Sequence, residues 1–361
     1  MTRRVTIGRL TVGGGAPVRV ESMLKRPLSE KEECLAQCER LLAEGCELAR
    51  AALPALELAD SLEWLNRHTA LPLMADIHFD PALAVAAMKA GCASVRINPG
   101  NMPLRKLTEM IRAAKDLGVV IRVGANGGSL SARHMEAGKG DRAAALFEAV
   151  REQAGLLLEN GFRDVILSAK STSVRDTVRA NAFLSGAWPD LPLHIGVTEA
   201  GPGDGGLIKS AVGIASLLSQ GIGDTLRVSL TDEPEREVRA GYEILKALDL
   251  RRRGVDLISC PTCGRRRADV MKLVKLIEPL VSGLPDGTSV AVMGCEVNGP
   301  KEARDAHFGI AGTPAGAVLF KKGVVAGEYA LEDLPEVLPR FFEEGEKSGR
   351  DAPEKTERAA A

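Results

Sequence analysis

Aromatic residues are scarce in this sequence: Phe, Trp and Tyr together make up 3% of its 361 residues. The core must therefore be aliphatic, and no aromatic platform is available for stacking single-stranded bases. An excess of charge of either sign is also lacking, with 47 Lys+Arg against 48 Asp+Glu. Without a net positive field, a protein built globally for nucleic acid is excluded as the default. No apolar run approaches the ~18 residues that span a bilayer. The opening residues, Met1-Thr2-Arg3-Arg4-Val5, lack the apolar stretch of a signal peptide. A cytoplasmic protein is expected. The remaining composition, 45% hydrophobic and 26% charged, is that of a folded globular chain, and the length suggests two domains.

Seven cysteines form an odd set, and a reducing compartment would not keep structural disulfides. Cys34, Cys38, Cys46 and Cys92 fall in apolar helix- or strand-like patterns and read as small buried hydrophobes. Cys260, Cys263 and Cys295 sit in a different context, described below.

From residue 18 the chain alternates short aliphatic runs with helix-period stretches. Strands are expected at Val18–Ser22, Glu47–Ala51, Pro72–Asp76, Ser94–Asn98, Val119–Val123, Asp164–Ala169, Leu193–Val197 and Thr225–Ser229. Helix-period stretches such as Ser29–Ala43, Pro81–Ala90, Pro103–Leu117, Arg142–Asn160 and Gly206–Leu218 lie between them. Strands that alternate with helices imply right-handed crossovers and a parallel sheet. Eight units in roughly 230 residues fit a (β/α)₈ barrel of the TIM type. The competing open sheet would carry a glycine-rich phosphate loop after its first strand, whereas Gly13-Gly14-Gly15 precede it. The expected barrel covers residues 1–250, with the boundary at Arg251-Arg252-Arg253-Gly254. A small α+β domain follows over 251–344: a strand at Val255–Ser259, a helix at Ala268–Val281, a strand at Ser289–Met293, a hairpin around Lys321-Lys322-Gly323, and a helix from Leu331 to Glu343. Residues 345–361 read as a polar, frayed tail.

In a barrel the active site forms where strands run out into βα loops. Read in order, those positions hold Arg50, then Asp76 and His78, Arg96 and Asn98, Arg122 and Asn126, Lys170, Thr198 and Glu199, and Arg227 and Ser229. Five cations, Arg50, Arg96, Arg122, Lys170 and Arg227, would converge on one mouth. Buried like charges are costly unless an anion compensates them. Guanidinium forks match phosphate oxygens, so a ligand with more than one phosphoryl group is expected. Pairing of individual cations with Asp76 or Glu199 is the plainer alternative, less expected for all five together. Gly201-Pro202-Gly203-Asp204-Gly205-Gly206 follows the seventh strand and opens a helix, a position suited to an anion nest. His68, His134 and His194 have no partner nameable from sequence.

Cys260-Pro261-Thr262-Cys263 is a C-x-x-C directly after a strand, and Cys295 follows another strand. Three thiolates on two strand-end loops can meet at one metal centre. Two readings stay open: zinc with a carboxylate or water as fourth ligand, or an iron–sulfur cluster with one iron held by something other than Cys.

The residues that carry these features resemble those of the bacterial 4-hydroxy-3-methylbut-2-enyl diphosphate synthases. The matching stretches are Ala75-Asp76-Ile77-His78-Phe79-Asp80, Arg96-Ile97-Asn98-Pro99-Gly100-Asn101, and Gly196-Val197-Thr198-Glu199-Ala200-Gly201. Gly221–Leu230, Cys260-Pro261-Thr262-Cys263, and Gly294-Cys295 with Val297-Asn298-Gly299-Pro300 continue the series along nearly the whole chain. The resemblance implies a barrel joined to a small cluster domain, and a [4Fe–4S] cluster held by Cys260, Cys263, Cys295 and Glu302. It implies reductive ring opening and dehydration of 2-C-methyl-D-erythritol 2,4-cyclodiphosphate in isoprenoid biosynthesis, with electrons from flavodoxin or ferredoxin. Arg50, His78, Arg96, Arg122, Asn126, Lys170, Arg227 and Ser229 fall at substrate-binding positions, and Arg265 reaches the substrate from the cluster domain. Glu199 is the candidate for proton transfer, and Glu302 is a displaceable ligand, weaker than thiolate. A homodimer in which the cluster domain of one chain caps the barrel of the other is implied as well. Leu24-Lys25-Arg26-Pro27 after the first strand, Lys301 before Glu302, and His307 depart from the family's usual residues. Two other functions keep their place: a zinc-dependent barrel enzyme on another phosphorylated substrate, and a non-enzymatic iron–sulfur sensor, which would have no use for the cation ring.

Overall fold

The computed structural model describes residues 1–78, 80–98, 107–296, 299 and 303–349, with side chains up to 343. The chain divides into two compact units between Arg251 and Arg252. Glu302 and Lys301, together with Phe79, Pro99–Asn101, Val297, Asn298 and Pro300 of the motifs above, lie outside the described residues.

In the first unit eight parallel strands form a ring: β3 (Arg19–Met23), β4 (Leu48–Ala52), β5 (Leu73–Ile77), β6 (Ser94–Ile97), β7 (Val120–Asn126), β8 (Val165–Lys170), β9 (His194–Ile195) and β10 (Thr225–Leu226). Neighbours pair in the order β8-β7-β6-β5-β4-β3-β10-β9. A parallel bridge between Leu167 and Leu193 brings β9 beside β8 and completes the circle. A helix follows each strand, from α1 (Lys31–Ala43) to α9 (Pro234–Ala247). The strands are buried on both faces because helices cover the outside and side chains fill the inside, which is why they read as near-continuous aliphatic runs. Cys34, Cys38, Cys46 and Cys92 are all buried in this core. Burial pushes their thiols up, to about 11 for Cys34 and Cys92 and about 12 for Cys38 and Cys46, so they are inert packing groups.

An antiparallel hairpin, β1 (Val5–Ile7) and β2 (Leu10–Val12), precedes the barrel and was not anticipated from the sequence. Its inward residues Val5, Ile7, Leu10 and Val12 pack with Leu48, Met74, Val120 and Ile166, which start or nearly start their strands. The hairpin thus seals the amino-terminal end of the barrel and leaves the polar chemistry to the other end.

The second unit is a five-stranded sheet in the order β11-β12-β13-β14-β15. Its strands are β11 (Asp256–Ser259), β12 (Ser289–Met293), β13 (Phe308–Gly312), β14 (Ala317–Lys321) and β15 (Val324–Tyr329), with α10 (Val270–Val281) and α11 (Leu334–Gly349). Strand β13, unforeseen because its glycines dilute the aliphatic pattern, runs parallel to β12 and antiparallel to β14. Its Gly309 is required: a Cβ there would lie 2.0 Å from the Phe320 ring. Phe308 packs edge-on against Phe341 and Phe342 at centroid distances of 5.6 and 5.3 Å, giving this small core a dense centre. Helix α11 continues past Glu343 to Gly349, where a tail from 345 was expected. Glu344, Glu346 and Lys347 are good helix formers, so polarity alone did not mark the end.

Candidate functional site

The register of the barrel assembles the polar mouth. Asp76 on β5 lies beside Arg96 on β6, which lies beside Arg122 on β7. Registered neighbours in a parallel sheet point to the same face, so the three form one interior tier. Nearer the carboxyl ends, Asn126 and Lys170 are registered partners. Small residues make the room: a Cβ on Gly124 would sit 3.1 Å from Nε of Arg96, and one on Gly196 would sit 3.3 Å from Nζ of Lys170 and 2.4 Å from the Arg227 carbonyl. Asp80 caps helix α3 (Pro81–Lys89), its Oδ1 accepting the Ala82 N–H at 3.0 Å, and so fixes the end of the loop that carries His78.

Carboxylates answer the cations more fully than expected. Arg96 donates to Asp76 Oδ1 at 3.0 Å and to the Gly124 carbonyl at 2.7 Å, and Arg50 approaches Asp76 at 3.6 Å. His78 Nε2 lies 3.4 Å from Asp76 and 3.3 Å from Arg96. Arg122 donates to Glu21 at 2.5 Å. Arg227 donates to both oxygens of Glu237 at 3.1–3.3 Å. Glu237 is fully buried, and it also accepts the Leu230 N–H at 3.0 Å and Ser22 Oγ at 3.3 Å. Lys25, one of the departures after the first strand, reaches Glu237 at 3.6 Å and the Asp232 carbonyl. All four arginines therefore pair with acids, while Lys170 does not, so acid pairing does not extend to all five cations together. Two of the acids, Glu21 and Glu237, were missed.

Lys170 has a different partner. Its Nζ lies 2.7 Å from His194 Nε2, and His194 Nδ1 lies 2.7 Å from Thr225 Oγ1 and 3.4 Å from Glu21 Oε1. His194, without a nameable partner in the sequence, is thus part of the site. The signal available was a histidine inside an aliphatic strand, just as Glu21 is a carboxylate inside one. Asn126 and Ser229 are half-buried at the mouth. Glu199 is exposed on the loop after β9 with φ +50°. A left-handed backbone at a non-glycine residue costs about 1–3 kcal/mol and marks functional loops. The Gly201–Gly206 segment opens α8 (Gly203–Leu218), whose first turn has no side-chain cap.

Four guanidiniums against three carboxylates, with Lys25 near one of the carboxylates, leave the mouth electropositive and largely buried whatever the charge on Lys170. Burial works to raise Glu21 and Asp76, but Arg122 with His194, and Arg50 with Arg96, hold these carboxyls well below their ordinary values. Burial pushes Arg96 down to about 10 despite Asp76. Burial and then Arg50, Arg122 and Arg227 hold Lys170 well below the usual lysine value. Burial and Arg122 do the same to His194. For the two carboxylates, native stabilisation is complete above about pH 4 and is lost as pH falls. The two depressed bases act in the same direction. The unfolded chain protonates them at about 6.5 and 10.4, so each contribution is complete above its own unfolded value and is lost as pH falls below it. Calorimetry of the ligand-free protein should give a Tm that rises from pH 5 to pH 9. In Lys170→Met the rise above pH 7 should shrink, and an unchanged slope in that variant would contradict the burial of a titrating lysine.

In the second unit Cys260, Cys263 and Cys295 line one cavity of about 100 Å³ together with Arg266 and Gly294. Cys260 Sγ accepts the Gly294 N–H at 3.1 Å. The backbone N–H and then the side chain of Arg265 lower the thiol of exposed Cys263, so this loop favours thiolate. Among the described residues no three His, Cys, Asp or Glu close around a single metal ion. Three thiols from two strand-end loops that line one cavity fit a group held by cysteine thiolates, as an iron–sulfur cluster is.

The two units correspond to two known domain families. Residues 2–242 match the GcpE TIM-barrel domain and residues 256–344 the GcpE protein C-terminal domain. A 4-hydroxy-3-methylbut-2-en-1-yl diphosphate synthase (flavodoxin) of Caldanaerobacter subterraneus is 42% identical over 95% of this chain and 98% of its own length. One from Streptomyces coelicolor is 44% identical over 97% and 92%. Among solved structures, the dihydropteroate synthase of Stenotrophomonas maltophilia superposes with a TM-score of 0.51 over 69% of this chain and 97% of that one, at 16% identity, a likeness of barrel fold alone. No helix among the described residues is long and apolar enough to cross a membrane. With both domains matched in order and near-full-length relatives of this identity, the chain belongs to the GcpE family of 4-hydroxy-3-methylbut-2-enyl diphosphate synthases.

Proposed function

We propose that this chain opens the ring of 2-C-methyl-D-erythritol 2,4-cyclodiphosphate reductively, with loss of water, to give 4-hydroxy-3-methylbut-2-enyl diphosphate. The observation that carries the reading is the cluster of Arg50, Arg96, Arg122, Lys170 and Arg227 at the barrel mouth, three of them buried, in a chain that also holds three cysteines around one cavity. Arg50, Arg96, Arg122, Lys170 and Arg227 bind the diphosphate, their acid partners holding each guanidinium in a fixed direction so that little order is lost on binding. His78, Asn126 and Ser229 donate hydrogen bonds at the rim, and Arg265 contributes from the second unit. Glu199 carries the proton needed at the departing oxygen. A [4Fe–4S] cluster, held by Cys260, Cys263 and Cys295 with Glu302 as fourth ligand, supplies the electrons and a Lewis-acidic iron when bound.

The diphosphate cradle and the thiolates belong to separate units, and the reaction needs both at one substrate. This supports a homodimer in which the cluster domain of one protomer caps the barrel of the other. Flavodoxin, which the relatives' names carry, is the electron donor we favour over ferredoxin, and thiolate-bound iron reduced by such a carrier belongs in the cytoplasm. The test is EPR of anaerobically purified, reduced protein with and without the cyclic diphosphate, alongside turnover with reduced flavodoxin. A cluster signal that changes on adding substrate, with product formed, is the expected result. Stoichiometric zinc without acid-labile sulfide would overturn the reading, and a cluster signal indifferent to substrate would favour a sensor.

A further inference from the structure

We propose that the barrel mouth takes up one proton when it binds its diphosphate, and that the proton settles on Lys170 Nζ, which His194 holds in place as a positioning residue. The inference rests on the substrate class given above. Lys170 and His194 are both buried, and their nitrogens are 2.7 Å apart. Such a contact needs one N–H between the two nitrogens, which an amine or an ammonium can supply. A fully protonated pair would set donor against donor.

The surroundings decide how the pair is charged in the free protein. Lys170 faces Arg50 from β4, Arg122 from β7 and Arg227 from the end of β10, and the carboxylate acting on it is Glu21 from β3. Glu21 is already committed to Arg122 through Oε2, while its Oε1 is buried, without a hydrogen bond, 3.4 Å from His194 Nδ1. Thr225 Oγ1 completes the shell around the ring at Nδ1. Each of these guanidiniums is matched by its own carboxylate, and among the described residues no carboxylate lies within ion-pair reach of Lys170 Nζ, so a charge there would have no counter-ion and the free site holds Lys170 as an amine. A diphosphate set among the same guanidiniums reverses the local field. The amine then takes a proton from solvent and meets the ligand as an ammonium, while neutral His194 accepts one of its hydrogens at Nε2. Nothing is oxidised or reduced, and no covalent bond other than N–H forms.

Isothermal titration of the full-length protein with the cyclic diphosphate, in buffers of different ionisation enthalpy at pH 7.5–8.5, measures the proton count directly. A slope close to one proton per ligand is expected, with Kd tightening about tenfold per pH unit of acidification over this range. In Lys170→Met the count should fall to zero while residual binding persists. In His194→Gln, whose amide can accept from Nζ without titrating, the count should stay near one with weaker binding. Binding by the wild type without proton uptake would overturn the inference and leave the proposed reaction standing. Uptake that survives in Lys170→Met, or disappears in His194→Gln, would overturn the assignment to Lys170. Failure of the cyclic diphosphate to bind at all would overturn the proposed reaction and this inference with it.

Discussion

Replacing Arg96 by alanine is expected to raise the Kd for the cyclic diphosphate by about 10²–10³ and to cost the barrel about 3 kcal/mol of stability. Both effects come from the same contacts. Arg96 is buried beneath the mouth, and it holds Asp76 at 3.0 Å and the Gly124 carbonyl at 2.7 Å. Without it Asp76 keeps Arg50, at 3.6 Å, but loses its closest partner, and the Gly124 carbonyl is left unpaired in a dry interior. The ligand loses a fork and gains a poorly compensated carboxylate facing its own charge. Titration calorimetry gives the binding term and thermal unfolding the stability term. Arg96→Lys should recover part of the stability, since a point charge can still face Asp76, yet little of the binding, because one ammonium cannot reproduce the two-pronged contact. Unaltered affinity in Arg96→Ala would mean that the mouth does not bind phosphate through this tier.

The second large effect separates the two units. Cys295→Ser should lower iron and acid-labile sulfide from about four per chain to well under one and abolish turnover. The barrel should still bind the cyclic diphosphate, because its strand-end cations owe nothing to Cys295. The matched control is Cys92→Ser, which removes another buried thiol, one pushed up to about 11 by burial and contacted by Asn66 Nδ2 at 3.3 Å. Iron content should be unchanged there, with only a loss of stability. Equal iron in the Cys295→Ser and Cys92→Ser proteins would remove Cys295 from the ligand set.

The barrel was legible because parallel strands covered by helices leave long aliphatic runs with polar residues at their carboxyl ends. Arg50, Asp76, Arg96, Arg122 and Lys170 could be picked out for that reason. Their counter-charges could not. Glu21 lies within an expected strand and answers Arg122 across 101 residues. Glu237 stands among the charges of the first turn of α9, indistinguishable in sequence from a solvated face until the fold turns it toward Arg227. His194 needs both Lys170 and Thr225 to be seen as anything but a stray polar residue. In the second unit the C-x-x-C was obvious, but Glu302 as a ligand follows from family resemblance, because no spacing rule singles out a carboxylate on that loop.

The closing pairs of the ring have a temporal consequence. Strand β3, near the start of the chain, is bounded on one side by β10 through Arg19–Thr225 and Val20–Leu226. The sealing hairpin β1–β2 waits for residues as distant as Ile166. During synthesis, therefore, the first barrel strand to emerge keeps an open edge until more than half the protein has left the ribosome. At ~5–20 residues per second that is about ten seconds or more in which an unpaired edge is open to pairing with another chain.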